Sequence, residues 1–142
     1  MSVIASIDVT FFKEYQLLDV VKEMTDDAWS IGSEQISYIL SKDDLDKNGW
    51  RDLALSQWSD IEKEIRQSEK EGNNPGIILL YKDSLSGIEL MKESPRKLSI
   101  CVSTGRRSLY ENVTDYSWYL GKIAPLVKRC GDIECICCED IY

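Results

Sequence analysis

The chain has 142 residues and carries 17 Lys and Arg against 25 Asp and Glu, a net charge of −8. That balance excludes a protein that tracks nucleic-acid phosphates with a basic surface. With 43% hydrophobic residues and only 3 Pro and 8 Gly, the chain is not a linker or a low-complexity segment.

From Val3 to Phe11 the residues alternate, with Val3, Ala5, Ile7, Val9 and Phe11 on one side, which predicts a half-buried strand. Tyr15, Leu17, Leu18, Val20, Val21, Met24 and Ala28 recur at helical spacing, so a first helix is expected from Lys13 to Trp29, stopping near Gly32. Ile36, Tyr38 and Leu40 share one face of a short element over 35–41, which is expected as a strand, with a helix turn as the alternative for so short a run. After a polar loop from Asp43 to Gly49, the stripe Trp50, Leu53, Ala54, Trp58, Ile61 and Ile65 predicts a second helix reaching Gly72. Asn73-Asn74-Pro75-Gly76 breaks the chain.

Ile77 to Lys82 and Gly87 to Lys92 then form a hairpin around Asp83-Ser84-Leu85-Ser86, and Lys97 to Thr104 is the next strand. Thr114 is positioned to cap a third helix holding Tyr119, Ile123 and Val127, and Ile133 to Ile141 closes the chain as a strand. The order β-α-β-α-β-β-β-α-β predicts an α+β fold: one domain over 1–142, with a largely antiparallel sheet of about six strands and three helices.

The candidate chemistry is sparse. The chain has no histidine, which removes the commonest general base and metal ligand. Asp44-Leu45-Asp46-Lys47-Asn48-Gly49, with Asp52, follows the first positions of a calcium loop. Leu55 stands where the bidentate glutamate belongs, so an Asp/Asn-rich turn capping the next helix is favoured over a cation site. Cys130, Cys135, Cys137 and Cys138 miss the knuckle spacing of structural zinc, and a strand sends Cys137 and Cys138 to opposite faces. They are expected in the sheet interior, without metal or disulfide. Arg106-Arg107 follows a glycine in a turn and is expected to be solvated. Trp29 and Trp118 are expected at the edge of the core.

Neither a cofactor nor a catalytic group is predicted, and the start of the chain lacks the basic region and unbroken apolar run of a secretion signal. The odd cysteine count, with four of the five in the last thirteen residues, fits a cytoplasmic protein with reduced thiols. Residues 1–76 hold 8 Lys and Arg against 16 Asp and Glu, whereas residues 77–142 hold 9 of each. Such a charged half suits docking on a basic partner, because opposed fields accelerate encounter. Asp26-Asp27 with Glu34, and Asp43-Asp44-Asp46, are the favoured docking residues, because they sit in loops flanking one short strand; Asp60 with Glu64 is a third patch.

In this general character the chain resembles the immunity proteins of bacterial polymorphic-toxin and contact-dependent growth-inhibition systems. The likeness rests on the acidic N-terminal half, the missing histidine and cysteines with no histidine to act beside them, with no shared motif. It implies a small cytoplasmic inhibitor, not an enzyme, that neutralises a cognate basic toxin such as a nuclease, with no nucleic-acid or membrane partner of its own. The alternatives are a calcium-stabilised domain using Asp44, Asp46, Asn48 and Asp52, a small hydrolase using two carboxylates, and a structural subunit or DNA-mimicking inhibitor with acidic groups at phosphate-like spacing.

Overall fold

Alternation dictates the first element, and the rest of the molecule is built on it. The computed structural model describes residues 3–47, 49–83 and 85–142, except for the side chains of 45–47. Strand β1 (Ile4–Phe11) turns Ala5, Ile7, Val9 and Phe11 into the core and leaves Ile4, Ser6, Asp8 and Thr10 on the other face. The further elements are α1 (Leu17–Thr25), β2 (Trp29–Ser30), β3 (Gln35–Ile39), β4 (Arg51–Ala54), α2 (Trp58–Lys70) and β5 (Gly76–Tyr81). They continue with β6 (Gly87–Lys92), β7 (Lys97–Thr104), β8 (Ser108–Tyr110), β9 (Val113–Thr114), α3 (Tyr116–Val127) and β10 (Ile133–Ile141).

The main sheet runs β10-β1-β7-β6-β5-β3-β4, with β2 paired to β5 beside β3, and each of these pairings is antiparallel. This is the expected α+β class. Leu17, Val20, Val21 and Met24 of α1, Ile61 and Ile65 of α2, and Tyr119, Ile123 and Val127 of α3 are buried with the inward residues of the strands in one cluster. The opposite face bears the half-buried Ser6, Asp8, Glu89, Ser99 and Cys101. One-sided packing of an antiparallel sheet explains the alternation of β1 and of the first half of β7, whereas the central β5 reads as a continuous apolar run from Ile77 to Tyr81. No described helix is long and apolar enough to cross a membrane.

Several expectations are corrected. The first helix ends at Thr25, because Trp29 leaves it to pair with Tyr81 in the sheet. Trp50, Leu53 and Ala54 do not belong to the second helix: Leu53 pairs with Ile36 in a strand, and the helix starts at Trp58. Trp58 rests half-buried against the core, while Ile61 and Ile65 are wholly enclosed. Residues 42–47 form a 3-10 helix instead of an open loop. The third helix is capped by Asp115, whose carboxylate accepts the Trp118 N–H at 3.2 Å, while Thr114 belongs to β9.

The cysteines of β10 also differ from expectation. β10 is an edge strand, so Cys135, Cys137 and Cys138 are exposed and only Cys130 and Cys101 are half-buried. Burial pushes the Cys130 thiol up to about 11. Arg106 and Arg107 are half-buried and engaged. Arg106 donates to Thr114 Oγ1 at 3.0 Å, and Arg107 donates to Ser86 Oγ at 3.0 Å and pairs with Asp83. The preceding Gly105 has φ +57°, and a Cβ there would lie 1.6 Å from the Leu85 carbonyl oxygen, so the turn that delivers both arginines requires glycine.

Candidate functional site

A groove of about 700 Å³ lies at the Gly76 end of β5, between the 42–47 turn and α2. β3 ends at Ile39, and the Leu40 carbonyl accepts a hydrogen bond from Ser68 Oγ, which seats α2 beside the end of that strand. The 3-10 turn is tied across to the end of β6 by Lys42 and Glu93, 3.1 Å apart. Asp43 and Asp44 line one side, and Glu64 of α2 and Glu71, which caps the C-terminal end of that helix, line the other. Arg51 and Lys63 lie among them, so that among the described residues four carboxylates meet two cations. Glu64 accepts a 2.8 Å hydrogen bond from the Tyr38 hydroxyl and lies 3.9 Å from Arg51.

Behind the groove the C-terminal end of α2 is fixed by a buried ion pair. Lys92 Nζ lies 2.6 Å from Glu69 Oε2, donates to the Tyr15 carbonyl at 2.8 Å, and sits 4.9 Å from the Tyr15 ring centre. The same Glu69 carboxylate accepts the Leu17 N–H at 3.1 Å on both oxygens, at the N-terminal end of α1, where backbone donors have no intrahelical partner. Three elements, α1, α2 and β6, therefore meet at one carboxylate. The Tyr15 hydroxyl, buried beside Glu69, is pushed well above its ordinary range, mainly by burial and then by that charge.

The residues favoured from sequence do not form one patch. Asp26 ends α1 and Asp27 follows it, close to β2, which pairs with Tyr81 and Leu80. The Glu34 carbonyl accepts the Leu55 N–H at 2.9 Å just before β3. Asp43 and Asp44 lie beyond the other end of β3, where it pairs with Gly76 and Ile77. Five residues of strand, roughly 17 Å, separate the two groups. Asp43 and Asp44 meet Glu64 of the third patch instead, together with Glu71, Arg51 and Lys63, which sequence reasoning passed over. The available sign was the spacing of Glu64 and Glu71, seven positions apart and so on one side of the second helix and its C-terminal cap.

The calcium-like motif is only partly visible. Asn48 and the Asp46 side chain lie outside the described residues. The Asp44 carbonyl accepts the Gly49 N–H at 2.8 Å, closing the turn, and the Asp52 carboxylate lies in β4 and accepts the Ser37 hydroxyl. Among the described residues no three Cys, Asp or Glu side chains are grouped to hold a metal ion. One carboxyl raised by burial is Glu89, which sits on the open sheet face and not in the groove. No family model, curated protein or solved structure matches this chain.

Proposed function

We propose that the protein is a stoichiometric inhibitor of the immunity type, which docks the acidic groove between the 42–47 turn and α2 onto a basic protein partner. The observation that carries this reading is the convergence of Asp43, Asp44, Glu64 and Glu71 on one exposed concavity in a chain of net charge −8. The molecule exposes 8012 Å², and a standard interface takes about 800 Å² of each partner, an area that fits this end of the molecule. Exposed carboxylates of this kind act mainly on encounter, and salt weakens them.

The test is co-expression with the product of the gene adjoining its own. The expected result is protection of the host from that product and recovery of a complex of fixed stoichiometry by size-exclusion chromatography. Replacing Asp43, Asp44 and Glu71 together by lysine should slow association at least about tenfold at low ionic strength and much less at high ionic strength. Unchanged association at every ionic strength removes the groove as the docking surface. Unaided turnover of a substrate by the purified protein overturns the inhibitor reading itself.

A further inference from the structure

At the other end of β5 lies a second cavity, of about 450 Å³, with a different chemistry. It is lined by Asp27, Trp29, Ser30, Tyr81, Lys82 and Lys122, with Ala28 at its rim. The ammonium groups of Lys82 and Lys122 lie 5.8 and 5.9 Å from the centre of the Tyr81 ring, one reaching it from the strand end and the other from α3. Neither is paired with a carboxylate among the described residues. Two cations within 6 Å of one ring centre are no more than about 12 Å apart by geometry, close enough for one polyvalent anion to be attracted to both.

Tyr81 itself provides the second observation. It is 7% exposed, wedged between Trp29 and Trp118 at ring-centre distances of 5.1 and 5.0 Å. Its hydroxyl makes no hydrogen bond to any described residue, yet no buried side-chain oxygen is left without a partner. Tyr81 is also one of the residues that line the cavity. Two ammonium groups near one phenol ring in a shared cavity, with a serine beside them, form a set of hydrogen-bond donors suited to an anion.

We infer that this cavity binds the phosphate group of a small hydroxylated phosphate monoester. Lys82, Lys122, Tyr81 and Ser30 are the donors to the phosphate oxygens. Asp27, the one carboxylate of the cavity, accepts from a hydroxyl of the organic part; it also limits the excess positive charge to one, so a bare anion gains less than an ester that satisfies Asp27. The volume lies within the range of small-ligand sites. The site is independent of the acidic groove, at the opposite end of β5.

The test uses ribose 5-phosphate and inorganic phosphate as probes, followed by calorimetry and by tryptophan fluorescence of a Trp50→Phe, Trp58→Phe variant, in which only Trp29 and Trp118 emit. Expected is saturable one-to-one binding of ribose 5-phosphate, weaker binding of inorganic phosphate, and loss of affinity as ionic strength rises. Lys82→Gln with Lys122→Gln should weaken both probes at least about tenfold. Tyr81→Phe, which keeps the ring and its packing, should weaken both several-fold, and near-ultraviolet circular dichroism checks that the ring cluster is intact. Asp27→Asn should weaken the ester and leave inorganic phosphate unchanged or tighter. Absence of saturable binding at millimolar concentrations, or binding that survives the double lysine replacement, overturns the inference.

Discussion

At the Gly76 end of β5 the helices are fixed to the sheet by charge, and at the Tyr81 end by rings. Glu69 and Lys92 form the first joint, with side chains only 3% and 10% exposed. Trp29, Tyr81, Trp118 and Tyr119 form the second, with edge-to-face contacts 5.0 to 6.4 Å apart and the Arg107 guanidinium 3.9 Å from the Trp118 ring centre. The surfaces above them are reversed: the ionic joint underlies an acidic groove, and the aromatic joint underlies the lysine-flanked cavity. A chain whose total charge is strongly negative thus presents two ends of different character. Net charge alone describes neither.

The largest effects should come from breaking each joint. Glu69→Ala strands Lys92 and uncaps Leu17, and should cost about 3–5 kcal/mol in a denaturant titration. Trp29→Ala removes an indole that is 3% exposed and should cost a similar ~3–5 kcal/mol. The joints should differ on repair. Adding Lys92→Met to Glu69→Leu removes the stranded charge and recovers much of the loss, since apolar replacement of a buried pair is often near neutral. What remains is the lost cap on α1. The Trp29 cavity has no such remedy, because its neighbours already pack on one another. If the double replacement is no more stable than Glu69→Ala, the first joint is not held by its charge.

Arg107→Lys keeps the charge but loses the flat stacking on Trp118 and the fork that reaches Asp83 and Ser86, and should cost about 1–2 kcal/mol by thermal melting. The backbone N–H of Leu85, and then Arg107, hold the Asp83 carboxyl below the usual carboxylate range.

A smaller effect is expected at Asp140. Partial burial pushes its carboxyl up, but hydrogen bonds from Thr114 Oγ1 at 2.5 Å, Thr114 N–H at 3.0 Å and the Tyr116 hydroxyl at 2.8 Å outweigh that and hold it below its ordinary value. A lowered carboxylate contributes stability that is present above the unfolded-chain value of about 3.9 and is lost as pH falls through the lower folded value. Asp140→Asn should therefore flatten the acid limb of the stability profile, by under about 1 kcal/mol after allowance for solvent screening.

The smallest change serves as a control remote from both ends. Burial raises the Glu89 carboxyl on the open face, so the folded state loses stability as pH rises through the interval above the ordinary glutamate value. Glu89→Gln should remove that pH dependence and stabilise the protein near neutrality by a few tenths of a kcal/mol, ~0.5 at most.

Local pattern was enough for the elements whose partners do not alter their period. The alternation of β1, the Ile61 and Ile65 stripe of α2, the hairpin of β5 and β6, and the α+β class are all legible in the sequence, because burial on one face writes a period of two or 3.6 into the residues themselves. Asp43 and Asp44 were likewise legible as exposed acids next to a short strand. Trp50, Leu53 and Ala54 fit the helical stripe by spacing, but Leu53 pairs with Ile36 across a turn, and four residues cannot declare by period which partner they will find.

Tertiary structure alone decided the rest, because those features join distant residues. Cys135, Cys137 and Cys138 are apolar enough for a core, but β10 falls at the sheet edge and exposes them. Arg107 finds Asp83, 24 positions away, and becomes part of the structure instead of a solvated turn. Asp27, read as one of an acidic pair, lines one cavity with Lys82 and Lys122, which come from other elements of the fold. Composition fixes how much charge a chain carries. Where that charge is concentrated, and what opposes it, is set by contacts across the sheet, since Coulomb energy depends on distance in space and not along the chain.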